Sequence, residues 1–389
     1  MSTLPPDSTP LHACWTENDE ARKAWWPAGL QGGVPRRIIV ADDTLSADDA
    51  YRLISQGTSL LWRGDFQNAR QLLQALARRI DKKQAAGKKK RGKDETPASL
   101  PDAFNRHRLH QSQRTDLLNR LLIELDAEAA IVLRRAPIVK EACAEALELP
   151  GEPFLLALRA LQGIIGAHEW RKKGVTIPGL AQAIHVHYGV YSPNRGEYLD
   201  LLAQAPLPGN ALAFDIGTGS GVIAAMLAQR GVRRVVATDM DERALACARE
   251  NMDILGFSRI VQVQKADLFP EGRSPLIVCN PPWLPARPTT PIEHAIYDPG
   301  SRMLLGYLNG LADHLEPDGE GWLIMSDLAE HLGLRSPDFL PQAIADAGLR
   351  VIDRLETRPR HPKALDASDP LHAARRAEMT SLWRLAAAK

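Results

Sequence analysis

The chain has 389 residues, of which 44% are hydrophobic and 24% are charged, and its formal net charge is +1. This composition is that of an ordinary globular protein, and the length is sufficient for two domains with separate cores. Because the overall charge is close to zero, it does not by itself indicate nucleic-acid binding, and only particular segments can carry that argument.

Cysteine usage and hydropathy indicate the compartment. The four cysteines, Cys14, Cys143, Cys247 and Cys279, are far apart in sequence and form no metal-ligand pair. No uncharged apolar run is long enough to span a bilayer, and the first residues lack the charged-then-apolar layout of a signal peptide. We therefore expect a soluble cytoplasmic protein with reduced thiols and no membrane association.

The first 175 residues carry mostly helical patterns. Residues 1–35 are rich in proline and polar side chains and lack periodicity, so we expect a loosely ordered arm. A short strand is predicted at 36–40. Helices are predicted from Ser46 onward and at 65–80, 117–125, 138–147 and 154–165. These patterns predict a mainly helical accessory domain over 36–175, which would serve substrate recognition.

A basic, glycine-interrupted run occupies residues 82–93. It has almost no apolar side chain to bury, so disorder is predicted over 81–97. Such a run could contact a phosphate backbone or serve as a solvated linker. The linker is favoured because no aromatic side chains are interleaved with the charges.

Two histidines precede the second half of the chain. Residues 186–191 alternate like a strand, which would place His185 and His187 on one face. Two histidines could be metal ligands, but no third ligand lies nearby in sequence. Partly exposed strand residues are the simpler interpretation, and no metal site is predicted.

Strands and helices alternate from Ala211 onward, which predicts a parallel sheet with helices on both faces. The strands are predicted at 211–215, 234–238, 260–264, 275–279, 321–326, 349–356 and 380–385, and the helices at 220–229, 241–255, 302–314 and 338–347. No helix separates the last two strands, so the last must run antiparallel to its neighbour. The prediction is an α/β domain over 176–389 with a Rossmann-like, seven-stranded sheet, the layout of class I methyltransferases.

A glycine-rich turn from Asp215 to Gly221 follows the first strand of this sheet. Its alternate glycines allow positive φ and leave no Cβ between the backbone and a ligand. The spacing also suits a dinucleotide, which leaves an NAD-dependent oxidoreductase as an alternative. However, Asp215 would repel a pyrophosphate and attract a cation, as in S-adenosylmethionine, which carries a sulfonium and an ammonium. Asp239, at the end of the next strand, can accept hydrogen bonds from both ribose hydroxyls.

A second motif, Asn280 to Trp283, follows the fourth strand at the same edge of the sheet. Pro281 and Pro282 remove two backbone donors, so the carbonyls of this turn accept without a competing N–H. The side-chain carbonyl of Asn280 adds a further acceptor. A planar amide or aromatic amine could donate both N–H groups there with its face on Trp283, and this geometry indicates methyl transfer to nitrogen.

With these motifs, residues 186–385 resemble the small-domain methyltransferase superfamily, and within it the HemK-type glutamine N5-methyltransferases. Weaker similarities are Arg195-Gly196-Glu197 to the family's Arg-Pro-Glu lead-in, and Asp298-Pro299 through Asn309-Gly310-Leu311 to the segment after the motif. The resemblance implies cofactor binding by Asp215, Gly217, Thr218, Gly219, Gly221, Asp239, Met240, Asp267, Leu268 and Asn280, and catalysis by Asn280, Pro281, Pro282 and Trp283.

The acceptor remains open between two kinds of macromolecule. The resemblance implies glutamine N5 of a protein such as a release factor, although Trp283 stands where the family usually carries Tyr. Other members of the superfamily act on adenine N6 or guanine N2 of RNA or DNA, so ribosomal or transfer RNA is the alternative. The basic connection from Arg358 to Arg376 between the last strands favours RNA, because it should emerge on the catalytic face. A non-catalytic binding protein is disfavoured because the glycine-rich turn, Asp239 and the motif from Asn280 to Trp283 are all intact.

Overall fold

A computed structural model describes residues 11–90, 99–193, 196–288, 293, 295–360 and 369–388, with the backbone alone given for 85–90. The chain divides into two units, each with its own β-sheet. Among the described residues, the first unit contains 11–90 and 105–169, and the second contains 99–104 and those from 170 onward. The predicted division after residue 175 lies just beyond this break.

The first unit contains a six-stranded sheet, which the prediction of a mainly helical domain over 36–175 did not include. Its strands, in the sheet order β1-β2-β6-β5-β4-β3, are β1 (His12–Glu17), β2 (Glu20–Trp25), β3 (Ile38–Ala41), β4 (Ser59–Trp62), β5 (Leu121–Leu125) and β6 (Phe154–Ala157). Its helices are α1 (Ala28–Gln31), α2 (Ala47–Ser55), α3 (Phe66–Lys90), α4 (Leu100–Leu118), α5 (Lys140–Ala146) and α6 (Leu158–Lys173). The first residues of α4 and the last residues of α6 belong to the second unit.

The amino-terminal segment forms a hairpin, which corrects the prediction of a loose arm over 1–35 for its described part. β1 and β2 pair antiparallel, and Asn18 and Asp19 between them both have positive φ, as two-residue hairpin turns require. Ala13 and Trp15 alternate along β1 and are buried in the core of the unit. This alternation and the Asn-Asp pair are the sequence signals that indicate the hairpin.

Two of the predicted helices contain strands in the structure. The helix predicted at 117–125 is replaced by the end of α4 and by strand β5, and 154–157 forms β6 ahead of α6. All side chains of these strands are buried except that of Glu124, which is partly exposed, so their sequences are mostly apolar and do not alternate. An apolar run of this length is compatible with either a strand or a helix, and tertiary pairing decides.

The basic run is helical as far as the structure describes it. Helix α3 continues from its buried first half to Lys90, which corrects the prediction of disorder for residues 81–90. Residues 91–97 lie outside the described part. Once the apolar face of residues 66–80 has nucleated the helix, adding lysine, glutamine and alanine costs little, because all three are good helix formers.

The second unit confirms the predicted α/β fold, but a short helix, His372–Ala377, lies between the last two strands, where none was predicted. Its sheet has the order β12-β13-β11-β10-β7-β8-β9, with strands β7 (Ala213–Ile216), β8 (Val235–Asp239), β9 (Val261–Lys265), β10 (Ser274–Cys279), β11 (Leu315–Ser326), β12 (Leu349–Thr357) and β13 (Thr380–Ala387). β13 runs antiparallel to both of its neighbours, and the pairs from β11 through β10, β7 and β8 to β9 are parallel.

Helices cover the sheet of the second unit and enclose two apolar cores. They are α7 (Glu197–Gln204), α8 (Val222–Gln229), α9 (Glu242–Leu255), α10 (Arg302–His314), α11 (Leu328–His331), α12 (Phe339–Asp346) and α13 (His372–Ala377). The strand predicted at 186–191 does not form, and only an isolated bridge between Val175 and Ile184 precedes α7. Among the described residues, no helix is long and apolar enough to cross a membrane.

Candidate active site

Strand register brings the predicted site residues to one edge of the sheet. Ile216, the last residue of β7, lies opposite Cys279 on one side and Thr238 on the other. The turns that follow these strands therefore leave the sheet side by side. The glycine-rich turn lies between the Asn280 turn and Asp239, at the carboxyl edge where open α/β sheets bind ligands.

The glycine-rich turn is shaped by its backbone conformation. Gly217, Gly219 and Gly221 have φ of 70°, 54° and 81°. A Cβ added to Gly219 would meet nothing within 4 Å, so this residue presents bare backbone to open space. A Cβ on Gly221 would lie 3.2 Å from the backbone of Ala248, which shows that Gly221 is needed for the close packing of α8 on α9.

Asp215 is fully buried behind this turn. One carboxylate oxygen, Oδ2, accepts hydrogen bonds from the Thr218 hydroxyl at 2.6 Å and from the Ala224 amide at 3.1 Å. The other oxygen, Oδ1, is also buried and has no hydrogen-bond partner among the described residues. Burial raises the pKa of Asp215 from 3.8 to about 7, against the lowering effect of those two donors.

Asp239 anchors the turn on its other side. Its carboxylate accepts from the Gly219 amide at 3.0 Å and from the Asp241 amide at 3.0 Å, one on each oxygen. Burial raises the pKa of this carboxyl, and the backbone donors oppose that rise. Each oxygen keeps a second lone pair, so Asp239 can still accept hydroxyl groups. Met240 beside it is 52% exposed, which is high for an apolar side chain.

The segment after β9 lies at the same edge. Asp267 forms an exposed ion pair with Arg302 at 3.0 Å, so its carboxylate lies in solvent, unlike those of Asp215 and Asp239. Leu268 has a positive φ of 72°, and its carbonyl accepts a hydrogen bond from the Thr238 hydroxyl at 2.6 Å. This bond holds the segment against the end of β8.

These residues fit S-adenosylmethionine. A buried carboxylate oxygen without a donor is costly unless a positive group compensates it, and Asp215 Oδ1 is such an oxygen. The bare backbone at Gly219 provides room for a ligand, and Asp239 provides acceptors beside it.

The Asn280 turn differs in one respect from the prediction. The indole N–H of Trp283 donates to Asn280 Oδ1 at 3.0 Å, so the side-chain carbonyl already accepts one hydrogen bond. The Trp283 ring is half-buried and packs against both apolar cores of the unit, and Pro281 is buried. The turn is thus held rigidly by its own tryptophan as well as by its prolines.

Two residues at the start of α10 and just ahead of it, Met303 and Asp298, were not among the predicted site residues. A Cβ on Gly217 would clash with the Met303 methyl group, so Met303 lies directly against the glycine-rich turn. Asp298 is buried and accepts from the Met303 and Leu304 amides at 3.0 to 3.1 Å, which caps the helix. Its position in the Asp298-Pro299 pair, just ahead of a helical pattern, is the signal for this cap.

The two histidines have structural partners. His187 forms a 2.7 Å ion pair with Glu250, which also binds Arg171 at 2.6 Å. The His185 ring contacts the Arg171 carbonyl at 2.6 Å. Within the part of the chain that the structure describes, no cluster of three or more potential metal ligands occurs.

The basic connection between β12 and β13 reaches the edge next to the Asn280 turn. Leu371 and Ala374, at α13, share an apolar cluster with Leu284, the residue after Trp283. Arg375 pairs with Asp369 at 2.8 Å, whereas Arg376 is exposed. Residues 361–368 of this connection lie outside the described part.

Part of the second unit is similar to known proteins. Residues 183–330 match the family model described as methyltransferase small domain. Similar proteins are a ribosomal protein L11 methyltransferase of Bordetella parapertussis (27% identical over 176 residues), a release factor glutamine methyltransferase of Cereibacter sphaeroides (32% over 154) and a tRNA1(Val) (adenine(37)-N6)-methyltransferase of Klebsiella pneumoniae (38% over 112). All three are named as methyltransferases, which favours that class over an NAD-dependent oxidoreductase.

The similarity is confined to part of each protein. It covers 42%, 34% and 24% of this chain and 57%, 55% and 46% of the three relatives, in the same order. The chain thus spans about half the length of the curated relatives that it matches.

Proposed function

We propose, from the match of residues 183–330 to the methyltransferase small-domain family model, that the protein is an S-adenosylmethionine-dependent N-methyltransferase acting on a planar nitrogen of a macromolecule. The observation that carries the proposal is the register of β7 and β10. Because Ile216 lies opposite Cys279, the glycine-rich turn and the Asn280 turn begin at adjacent positions. A ligand on one turn therefore lies beside an acceptor on the other.

The cofactor side of the site binds by shape and charge. Asp215 offers a negative oxygen to a cationic ligand, Gly219 leaves room for it, and Asp239 accepts ribose hydroxyls. S-adenosylmethionine, when bound, supplies a methyl group on a sulfonium.

The acceptor side orients a nitrogen. The Asn280 side-chain oxygen keeps one lone pair after its bond to Trp283, and the carbonyls of the turn have no N–H beside them at Pro281 and Pro282. These oxygens accept the N–H groups of a planar amide or amine. Its lone pair is then directed out of that plane of hydrogen bonds, toward the neighbouring glycine-rich turn.

The first candidate acceptor is a glutamine side chain of a protein. The motif from Asn280 to Trp283 suits a primary amide, which has two N–H groups on one planar nitrogen. The release factor glutamine methyltransferase of Cereibacter sphaeroides, 32% identical over 154 residues, supports this acceptor.

The second candidate is a base in RNA, which a specific observation favours. Exposed Arg376 lies on α13, the helix whose apolar side shares a cluster with Leu284 next to the motif. Cations beside an acceptor turn favour a phosphate backbone. The tRNA adenine-N6 methyltransferase of Klebsiella pneumoniae, 38% identical over 112 residues, supports this alternative.

Methyl transfer into a cell extract tests both candidates. The full-length protein and S-adenosylmethionine labelled in the methyl group are added to an extract of cells that lack the protein, and the product is digested with protease or ribonuclease. Label released by protease supports a protein acceptor, and label released by ribonuclease supports RNA. Labelling by wild type that equals labelling by a folded Asn280→Ala variant would contradict the proposed function.

A further inference from the structure

We propose that Trp283 is a positioning residue for Asn280, whose side-chain oxygen it holds in the orientation that an acceptor N–H requires. The inference rests on the proposed function and extends it, since Trp283 was expected only to stack on the acceptor. It concerns a feature particular to this chain, because the hydrogen bond needs an indole N–H at this position.

The hydrogen bond joins the only donor of the indole to the side-chain oxygen of Asn280. The Nε1 to Oδ1 distance is 3.0 Å, a normal length for an N–H···O bond. The ring cannot easily turn away, because it packs against the apolar cores on both sides of the sheet. Its N–H direction is therefore set by core packing.

An asparagine at this position needs such a guide. Its amide has an oxygen at one end and an NH2 group at the other, and rotation about the last torsion exchanges them. With the NH2 group turned toward the acceptor, two donors would face each other and the acceptor nitrogen would not be held. Because the indole can only donate, it selects the orientation in which Oδ1 faces Trp283 and keeps its second lone pair for the acceptor.

The same packing argues against a ring that serves mainly as an open stacking platform. Trp283 is half-buried and part of its surface lies against core residues of both clusters. A phenylalanine could fill much of the same space but has no donor, and a tyrosine hydroxyl lies at the far end of the ring rather than at the indole nitrogen position. Substitution by phenylalanine therefore separates ring packing from hydrogen bonding.

The hydrogen bond itself can be measured without cofactor or acceptor. In a spectrum of the full chain labelled with 15N at the tryptophan indoles, the Trp283→Phe variant identifies the Trp283 signal among those of the eight tryptophans. Asn280→Ala should shift this signal upfield and speed its hydrogen exchange, whereas Asn280→Asp, which keeps an oxygen acceptor, should retain a hydrogen-bonded position. A Trp283 signal that is the same in Asn280→Ala and wild type would overturn the inference.

The role in positioning is tested by kinetics with the extract of cells that lack the protein as acceptor. Trp283→Phe should lower the maximal rate of methyl transfer about tenfold, the loss expected for one neutral hydrogen bond, and leave half-saturation by extract and S-adenosylmethionine binding unchanged. In an Asn280→Ala background the same substitution should have little further effect, because its target is already absent.

A matched control separates positioning from stability. Trp322 is fully buried in the same unit, and its indole donates to Glu320 at 2.9 Å. Trp322→Phe also removes one indole hydrogen bond, so it should lower the melting temperature without a selective loss of maximal rate.

A Trp283→Phe variant with wild-type maximal rate but weaker half-saturation by extract would show that the ring stacks on the acceptor, and the inference would be wrong. If wild type transfers no methyl group to the extract, the proposed function fails, and the indole signal still decides whether Trp283 holds Asn280.

Discussion

Asp65 in the first unit and Asp215 in the second are both fully buried carboxylates at the carboxyl ends of parallel strands, yet their surroundings differ. Asp65 accepts from Arg135 at 2.7 Å, Arg134 at 2.8 Å and the Gln67 amide at 2.9 Å. Asp215 has only a hydroxyl and one amide, both on the same oxygen. Both oxygens of Asp65 accept hydrogen bonds from the protein, whereas Oδ1 of Asp215 has no donor among the described residues.

The pKa values show the consequence of this difference. Hydrogen bonding to Arg135 holds the pKa of Asp65 well below its ordinary value, with further lowering by Gln67 and Arg134. Burial raises the pKa of Asp215 to about 7. A carboxyl group whose pKa is strongly raised is a candidate functional group, although structural ion pairs perturb pKa values as well. Burial alone therefore does not indicate the role of a carboxylate, because the role depends on which groups donate hydrogen bonds to it.

The largest effect should come from Asn280, on the acceptor side of the edge that contains Asp215. Asn280→Ala should lower turnover by about a hundred- to a thousandfold, by analogy with the loss of a positioned hydrogen bond at a reacting centre. S-adenosylmethionine affinity, measured by calorimetry, should stay nearly unchanged because cofactor contacts belong to the other turns. Asp65→Asn serves as the control for turnover, and a folded Asn280→Ala variant with the wild-type rate would remove this residue from catalysis.

A smaller effect is expected at Asp239, which lies at the same edge as Asp215 but is only partly buried. Asp239→Ala should weaken S-adenosylmethionine binding by roughly 2 to 3 kcal/mol, or about 30- to 150-fold, since a charged acceptor of two hydroxyls is lost. Calorimetry on the folded variant measures the change. An unaltered dissociation constant would show that the ribose is held elsewhere.

The raised pKa of Asp215 predicts two opposite pH dependences. Because its ordinary pKa of 3.8 rises to about 7 in the folded chain, the folded state binds a proton that the unfolded state has lost within this window. The contribution of Asp215 to stability of the ligand-free protein therefore falls as pH rises from about 4 to about 7. A cationic ligand needs the ionised form, so affinity should rise with pH below 7, by at most about tenfold per pH unit.

Calorimetry at pH 5.5 and 7.5 checks this dependence, and buffers with different ionisation enthalpies report the proton released on binding. Asp215→Asn cannot titrate and provides the control, in which the slope should flatten. A wild-type affinity that is the same at both pH values would mean that no positive group of the cofactor lies near Asp215.

The smallest effect on the cofactor should follow substitution of Asp65. Asp65→Asn leaves Arg134 and Arg135 without their shared carboxylate and should lower the melting temperature by about 5 °C. S-adenosylmethionine affinity should not change, because Asp65 belongs to the other unit. Scanning calorimetry measures the first and titration the second. A large loss of S-adenosylmethionine affinity in a folded Asp65→Asn variant would contradict the conclusion that, of these two acids, only Asp215 contributes to cofactor binding.

The sequence alone determined most of the second unit. All seven strands, the antiparallel last strand and four helices were predicted near their observed positions, because strands and helices there alternate with clear periodicity and short turns. The glycine-rich turn, Asp239 and the motif from Asn280 to Trp283 were predicted to lie at one edge of the sheet for a related reason. Each directly follows a predicted parallel strand, and such strands share a carboxyl edge.

Only the tertiary structure decided the rest. β5 and β6 became strands because the sheet of the first unit paired them, although their apolar runs suit a helix equally well. Side-chain directions determine which partners Asp65 and Asp215 have. They also determine the contact of Met303 with Gly217 and the hydrogen bond from Trp283 to Asn280. Local sequence patterns determine whether a segment forms a helix or a strand. The hydrogen-bond partners of a buried polar atom depend instead on how elements that are distant in sequence pack together, which no local pattern contains.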